Sequence, residues 1–209
     1  GENRSSVIVD PENGVLPYNE RGAQRSAHVY FDGVGYDGPE QRPGVERCTE
    51  AWGAPPMRAF MYQLFHGFVQ TADTVAIVSE EVAQLRVIHM DGRSRPEAIR
   101  SFGGYSVGRW EGDTLVVDVT GLSDQTWFDR AGSHHSYQLH VAERYSMVSP
   151  NHIDYEATIE DPLVLTEPFT IKMPLYRRLE DNARLMDFRC VEFVEELMFG
   201  EWRRNPLPR

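Results

Sequence analysis

Residues 105–120, YSVGRWEGDTLVVDVT, and residues 138–160, QLHVAERYSMVSPNHIDYEATIE, decide the fold. In both stretches apolar and polar residues alternate with a period of two, which is the pattern of strands with one buried face. Glu111-Gly112 interrupts the first stretch, and a glycine at such a place favours a tight hairpin. Ser149-Pro150-Asn151 interrupts the second, where proline fixes the backbone angle of a turn. Each stretch therefore predicts an antiparallel pair of strands.

Similar short runs, rich in Val, Ile, Tyr, Phe and Thr, extend in both directions from these two stretches. Nine strands are predicted in all, at 60–70, 74–80, 84–90, 104–110, 113–120, 138–148, 152–160, 169–178 and 184–191. Asp91-Gly92 favours a further tight hairpin. Residues 192–199, EFVEELMF, predict one short helix.

Sequential strands with short loops indicate an up-and-down meander, and a meander of this length avoids open edges by closing on itself. We therefore predict an all-β fold, an antiparallel up-and-down barrel of about eight or nine strands that is wide enough for one small ligand. A β-sandwich is the structural alternative.

Residues 1–58 lack sustained periodicity, carry much of the glycine and proline, and have too few apolar residues for a core. We predict an irregular N-terminal arm over 1–58, packed on a β-barrel domain over 59–209 that ends in a short tail. An arm of this length is uncommon in compact domains and is often functional. It could wrap a second copy of the chain, so a homo-oligomer is one expected assembly.

Composition excludes several classes of function. The chain has 209 residues, of which 41% are hydrophobic and 25% charged, as in ordinary globular proteins. Its formal net charge of −11 argues against nucleic acid as a partner, because phosphate binding needs clustered Lys and Arg. No apolar run approaches the roughly 18 residues of a membrane helix, so we expect no membrane span.

Cys48 and Cys190 lie too far apart for a CxxC metal or redox motif. Two interpretations stay open from the residues alone. They are unrelated buried thiols, as in a cytoplasmic protein, or they form one disulfide between the arm and the last strand in an oxidising compartment.

Several separated blocks carry a resemblance to a known family. They are YSVGRWEGDTLVVDVTGL at 105–122, LHVAERY at 139–145, IDYEATIEDP at 153–162 and LRVIHMDGR at 85–93. In this order the blocks resemble a family of bacterial proteins, abundant in soil bacteria, with the pattern GxSxGxWEGDTLVVDTTGF. The resemblance covers about three-quarters of the chain. It implies a lipocalin- or calycin-like barrel, a periplasmic or secreted location and the Cys48–Cys190 disulfide, and it names no reaction.

Three ionisable residues are candidate catalytic groups. Glu143 shares a strand face with Val141 and Tyr145, where burial would raise the pKa of a carboxyl and suit it to acid–base chemistry. The alternative is that Glu143 pairs with a buried arginine, Arg86 or Arg109, and holds the barrel together.

His66 and Asp118 are the other two candidate catalytic residues. His66 lies at period two with Tyr62 and Phe68 on an apolar face. Asp118 shares a face with Val116, and because either face of that strand can point inward, an outward position is its alternative.

The candidate substrate-binding residues are aromatic or cationic groups near the predicted interior and its mouth: Arg86, Tyr155, Trp127, His135, Tyr62 and Phe68. The alternative for Tyr155 is a core tyrosine with its hydroxyl at the rim. The alternative for His135 is a hydrogen bond to Asp129 that fixes its loop.

No histidine has HxH or HExxH spacing, and neither GxGxxG nor a P-loop occurs, so we predict no metal and no cofactor. The ionisable groups on apolar faces predict a cofactor-independent enzyme. It would be a lyase, isomerase, hydratase or cyclase that acts on a small apolar or aromatic molecule inside the barrel. The alternatives are a non-catalytic binding or carrier protein and a structural or partner-binding module.

Overall fold

The computed structural model describes residues 6–26, 47–49, 54–58, 65–80, 84–129 and 131–191. Over these residues the protein is all-β, with nine strands and one short helix. The elements are β1 (Ile8–Asp10), α1 (Glu20–Arg25), β2 (His66–Gln70), β3 (Thr74–Ser79), β4 (Leu85–His89), β5 (Tyr105–Glu111), β6 (Thr114–Thr120), β7 (His140–Ser149), β8 (His152–Glu160) and β9 (Phe169–Tyr176).

The nine strands form one mixed sheet with the order β1-β9-β8-β7-β6-β5-β4-β3-β2. Neighbouring strands are antiparallel with one exception, the parallel pair β4–β5, in which Ile88 lies opposite Ser106. A parallel pair needs a crossover of about a dozen residues or more, which the connection 90–104 supplies. The predicted hairpin at Asp91-Gly92 is therefore wrong, whereas the antiparallel meanders β2–β4 and β5–β9 are confirmed.

The sheet is not closed into a barrel. Over the described residues β1 and β2 stand at its two edges and do not pair with each other. The predicted strand at 184–191 is wrong, because these residues have no strand structure. Met186 is 66% and Phe188 40% exposed there. The edge beside β9 is taken instead by β1, from the arm that the sequence predicted to be irregular.

The sheet nevertheless curls strongly, and residues of distant strands touch on its inner face. Phe68 on β2 contacts Tyr145 on β7, with ring centroids 6.0 Å apart. The guanidinium carbon of Arg178, just after β9, lies 4.7 Å from the ring centroid of Phe65, just before β2. The chain after β9 therefore borders β2, on the far side of the sheet order.

The core lies on the inner face of this curled sheet. Its fully buried side chains follow the period of two along the central strands, and they include Ile77, Ile88, Val117, Val119, Val141, Tyr155, Ala157 and Ile159. The arm contributes to the same core, since Met57 is buried within it. The described parts of the arm thus pack on the sheet.

Cys48 and Cys190 form a disulfide, with their Cα atoms 5.7 Å apart. Of the two interpretations of the cysteines, the bond is therefore confirmed, although Cys190 lies in a segment without strand structure. No helix in the described part of the chain is long and apolar enough to span a membrane. The helix predicted at 192–199 lies outside the described residues.

Candidate functional site

A buried ion pair forms the centre of a polar cluster on the inner face. Glu143 and Arg86 are both buried. The guanidinium group binds both carboxylate oxygens: Nη1 lies 3.0 Å from Oε1, and Nη2 donates to Oε2. Arg86 Nε also donates to Ser106 Oγ at 3.0 Å. The side chain of Arg86 is thereby fixed by β5 and β7 together.

Two tyrosines complete the cluster. The hydroxyl of Tyr155 donates to Glu143 Oε1 at 2.8 Å and accepts the backbone N–H of Met57 at 2.8 Å. The hydroxyl of Tyr145 donates to the same carboxylate oxygen at 3.3 Å and lies 3.5 Å from Arg86 Nη1. The buried carboxylate thus receives donors at both oxygens, as a charge without water requires.

The pKa values of the cluster follow from its burial and charges. Burial alone would lower the pKa of Arg86, but the charge and hydrogen bonds of Glu143 outweigh it and raise that pKa. Burial, reinforced by the Glu143 charge, raises the pKa of Tyr145 and of Tyr155 well above the ordinary value. Both phenols are therefore protonated donors at neutral pH.

The interpretation of Glu143 as the partner of a buried arginine is confirmed, and the arginine is Arg86. Arg109 lies on the outer face, where it pairs with Glu111 and Asp118. Sequence reasoning placed Glu143 and Tyr145 on one face, but it did not identify Tyr145 as a polar partner. The sequence did not indicate a role for Met57, because Met57 takes part through its backbone N–H, which every residue except proline has.

The inner face ends in large apolar side chains that are exposed. Trp110 lies opposite Leu115, which lies opposite Tyr145, and Met147 follows Tyr145 on the same face of β7. Phe68 is 41%, Trp110 49% and Met147 57% exposed. We call Phe68, Trp110 and Met147 the apolar rim. Phe68 contacts Tyr145, and Tyr145 contacts Glu143, so a continuous path of contacts joins Phe68 of the apolar rim to the ion pair.

His66 lies on β2, on the same strand face as Phe68. It is half-buried, and its Nδ1 lies 2.9 Å from Ser79 Oγ. Burial lowers its pKa, so the imidazole is neutral near pH 7. The structure thus confirms that His66 faces inward, but it pairs His66 with Ser79 and not with Glu143.

Asp118 lies on the outer face, so the sheet separates it from Glu143. Its carboxylate accepts from Arg109 Nη1 at 2.8 Å and lies 3.3 Å from His140 Nε2. The outward alternative is therefore confirmed. The sequence left the choice open because valines stand on both faces of this strand. In the structure both Val116, which shares the face of Asp118, and Val117 on the opposite face are buried.

His135 is buried in the loop between β6 and β7. Its Nδ1 lies 3.2 Å from the carbonyl of Ser136, which can only accept, so Nδ1 carries the proton and Thr126 Oγ1 donates to Nε2 at 2.8 Å. Desolvation lowers the pKa of His135 to about 4. The predicted hydrogen bond to Asp129 is wrong, because Asp129 accepts instead from the Ser133 hydroxyl at 2.7 Å.

Trp127 is also buried in this loop, and its carbonyl accepts from Arg58 at 2.6 Å. Trp127 and His135 therefore fill the base of the loop, apart from the apolar rim, and their binding roles stay predictions. Tyr62 lies outside the described residues. Within the described ranges, no three His, Cys, Asp or Glu side chains are grouped to hold a metal.

Comparisons of the chain with family models, with curated proteins and with solved structures gave no match.

Proposed function

We propose that the protein binds a small apolar or aromatic molecule over the apolar rim, at the end of the curled sheet where the inner face is open. The observation that carries this proposal is the exposure of Phe68, Trp110 and Met147 on the concave side. Grouped exposed apolar side chains on a soluble protein are typical of a binding surface. Aromatic rings contribute large contact areas to such surfaces.

The polar end of the ligand is expected to lie nearest Tyr145, the buried residue that contacts Phe68 of the apolar rim. The hydroxyl of Tyr155 is held by two hydrogen bonds of 2.8 Å, whereas that of Tyr145 has longer contacts of 3.3 and 3.5 Å. Longer hydrogen bonds are weaker and more easily exchanged. A ligand with one hydrogen-bonding group beside an apolar body would fit this arrangement.

Titration with a neutral naphthylamine dye tests binding at the apolar rim. We expect saturable binding with one dye per chain, weakened about tenfold in Phe68→Ala or Trp110→Ala, since each loses contact area worth on the order of 1.4 kcal/mol. Val69→Ala is the matched control, because Val69 is an exposed residue of the same strand on the outer face. Equal losses in all three variants, or no saturation, would contradict the proposal.

A second candidate function is cofactor-independent acid–base catalysis on the bound molecule, as a lyase, isomerase, hydratase or cyclase. The observation that favours it is the position of Tyr145, a protonated phenol in contact with both Glu143 and Arg86 and next to Phe68. In an isomerisation, Tyr145 would give its proton to one substrate atom and recover a proton from another.

Tyr145→Phe separates the two functions. If the protein is an enzyme, this change should lower turnover of a bound substrate by roughly a hundredfold or more. The affinity for the naphthylamine dye should stay within a small factor of that of the unmodified protein. A carrier has no turnover, and compounds that bind would be recovered unchanged after incubation.

Kinship with the bacterial family of the sequence blocks, and a lipocalin-like way of binding ligands, are part of the same proposal. The curled sheet, with the exposed apolar rim at an end of its inner face, supports them. The Cys48–Cys190 disulfide supports an oxidising compartment, hence a periplasmic or secreted location. A homo-oligomer through the arm stays a prediction that the described residues do not test.

A further inference from the structure

A groove lies on the outer face, on the other side of the sheet from the ion pair. It forms where the β4–β5 connection passes the end of β6 and the start of β7, and its volume is about 390 Å³. Volumes of this order are typical of sites for small molecules. The groove residues that matter for its chemistry are Arg95, Arg100, Thr120, Gly121, Tyr137 and His140.

Arg95 is fixed in one wall of the groove. Its Nη1 donates to the carbonyls of Pro96, Glu97 and Ile99 at 3.1, 3.0 and 2.8 Å. Its Nε donates to Thr120 Oγ1 at 3.2 Å. Gly121 leaves room for this side chain, because a Cβ there would lie 2.7 Å from Arg95 Cδ. Nη2 keeps its hydrogens free of any acceptor in the described part of the protein.

Arg100 also lines the groove, where Tyr137 holds it. Its Nη1 donates to the Tyr137 carbonyl at 2.6 Å, and its guanidinium carbon lies 4.8 Å from the centroid of the Tyr137 ring. This stacking holds the guanidinium plane in place. Its Nε and Nη2 groups have no acceptor within the described ranges.

The charges of these two arginines are not matched by carboxylates of the described residues. Six other arginines of the described residues pair with Asp or Glu: Arg86, Arg93, Arg109, Arg144, Arg178 and Arg189. The chain has an excess of acid, with a net charge of −11, so carboxylate partners are plentiful. Arg95 and Arg100 differ from these six, because carbonyl groups and the Tyr137 ring hold them in one groove without a carboxylate partner.

We propose that this groove binds a small molecule through a carboxylate or phosphate group held by Arg95 and Arg100. The guanidinium fork matches both oxyanions, and charge-assisted hydrogen bonds of this kind are strong. The exposed ring of Tyr137 offers an apolar surface to the rest of the molecule. The carboxylates of Asp118 and Glu160 flank His140 at 3.3 and 3.5 Å, so the anion occupies the arginine side of the groove.

Titrations with benzoate and with inorganic phosphate, followed by amide chemical shifts, test the proposal. We expect saturable shifts at Thr120, Gly121 and Tyr137 with at least one probe at millimolar concentrations. Tighter binding of benzoate would indicate an aromatic carboxylate, and tighter binding of phosphate would indicate a phosphate ester.

Arg100→Gln should weaken binding about tenfold or more. Arg93→Gln is the matched control, since Arg93 lies in the same connection, is exposed and already pairs with Asp91. The absence of saturable shifts with both probes in the unmodified protein would overturn the proposal. Equal weakening by Arg93→Gln and Arg100→Gln would overturn it too.

Discussion

Arg86 on β4 and Glu143 on β7 bind each other across the two strands that lie between them in the sheet. In a flat sheet strands three positions apart lie about 14 Å from each other, beyond the reach of a direct ion pair. The ion pair is therefore a measure of the curvature, and it connects β4 to β7 at a point that is buried from solvent. We therefore expect the contribution of each side chain to the free energy of unfolding to depend on the presence of the other.

Removing either partner of the ion pair alone should destabilise the protein. Arg86→Met and Glu143→Leu should each lower the free energy of unfolding by about 3–5 kcal/mol, because each leaves one buried charge without its partner. The double variant should lose much less than the sum of the two. Urea unfolding of the four proteins measures the coupling, and Lys172→Met, at an exposed pair with Glu156, should change little. Additive losses would show that the two side chains do not stabilise each other.

The second prediction separates the two buried tyrosines. Tyr155→Phe should destabilise the protein by about 1–3 kcal/mol, because it leaves the Met57 N–H without an acceptor and removes a short bond to Glu143. Tyr145→Phe should cost less, since its contacts are longer and Glu143 keeps its other donors. Thermal unfolding of the two matched variants ranks them. A larger loss of stability in Tyr145→Phe than in Tyr155→Phe would contradict this prediction, because it would mean that Tyr145 makes the stronger hydrogen bonds.

Acid should lower the stability of the folded protein through the protonation of His135. The pKa of His135 is about 4 in the folded protein, against an ordinary value of 6.5. Between these values the unfolded chain binds a proton that the folded protein does not, so stability falls as the pH falls through this window. At about pH 5 the loss due to His135 should be about 2 kcal/mol relative to pH 7. The lowered pKa of His66 acts in the same direction.

Urea unfolding at several pH values checks this prediction. His135→Gln should flatten the dependence between about pH 5 and 7, whereas His89→Gln, on the outer face, should leave it steep. A dependence that stays as steep in His135→Gln would mean that another group causes the loss.

The fourth prediction concerns the disulfide. The bond closes a loop with a sequence separation of 142 residues, and in the chain-entropy model its removal costs up to roughly 5 kcal/mol. Reduction should therefore lower the melting temperature of the unmodified protein. The Cys48→Ser/Cys190→Ser double variant should melt at the lower temperature with or without a reductant. A melting temperature that reduction leaves unchanged would show that the loop is constrained by other contacts.

Local patterns predicted much of the sheet but not how its two halves join. The alternation in β7 placed Glu143 and Tyr145 on the inner face, and the structure confirms it. The turn residues Asp91-Gly92 favour a hairpin, and Gly92 does have a φ of +72°. The chain then crosses to a parallel position, because the pairing of Ile88 with Ser106 is a tertiary choice that no local pattern records.

In the candidate site, too, local sequence patterns do not determine which residues of distant strands or loops become partners. Partners that depend on distant strands, such as Arg86 with Glu143, were open alternatives from the sequence. Arg109 is excluded because it points from the outer face, and the curvature of the sheet brings Arg86 within reach of Glu143. His135 was expected to bind Asp129, six residues away, but Thr126 lies in reach of its ring instead. Short polar residues in a loop offer several equivalent partners, and in the arrangement that forms the Phe128 ring packs against His135.

The pairing of β1 with β9 has a consequence for the order in which the chain assembles. Among the described residues, β1 is the strand nearest the start of the sequence and its partner β9 is the last, so this edge of the sheet needs nearly the whole described chain before it can form. Contacts between such remote segments slow folding, because a long stretch of chain must be ordered before they form. Folding should therefore begin in the β6–β8 region and end with the docking of Ile8–Asp10.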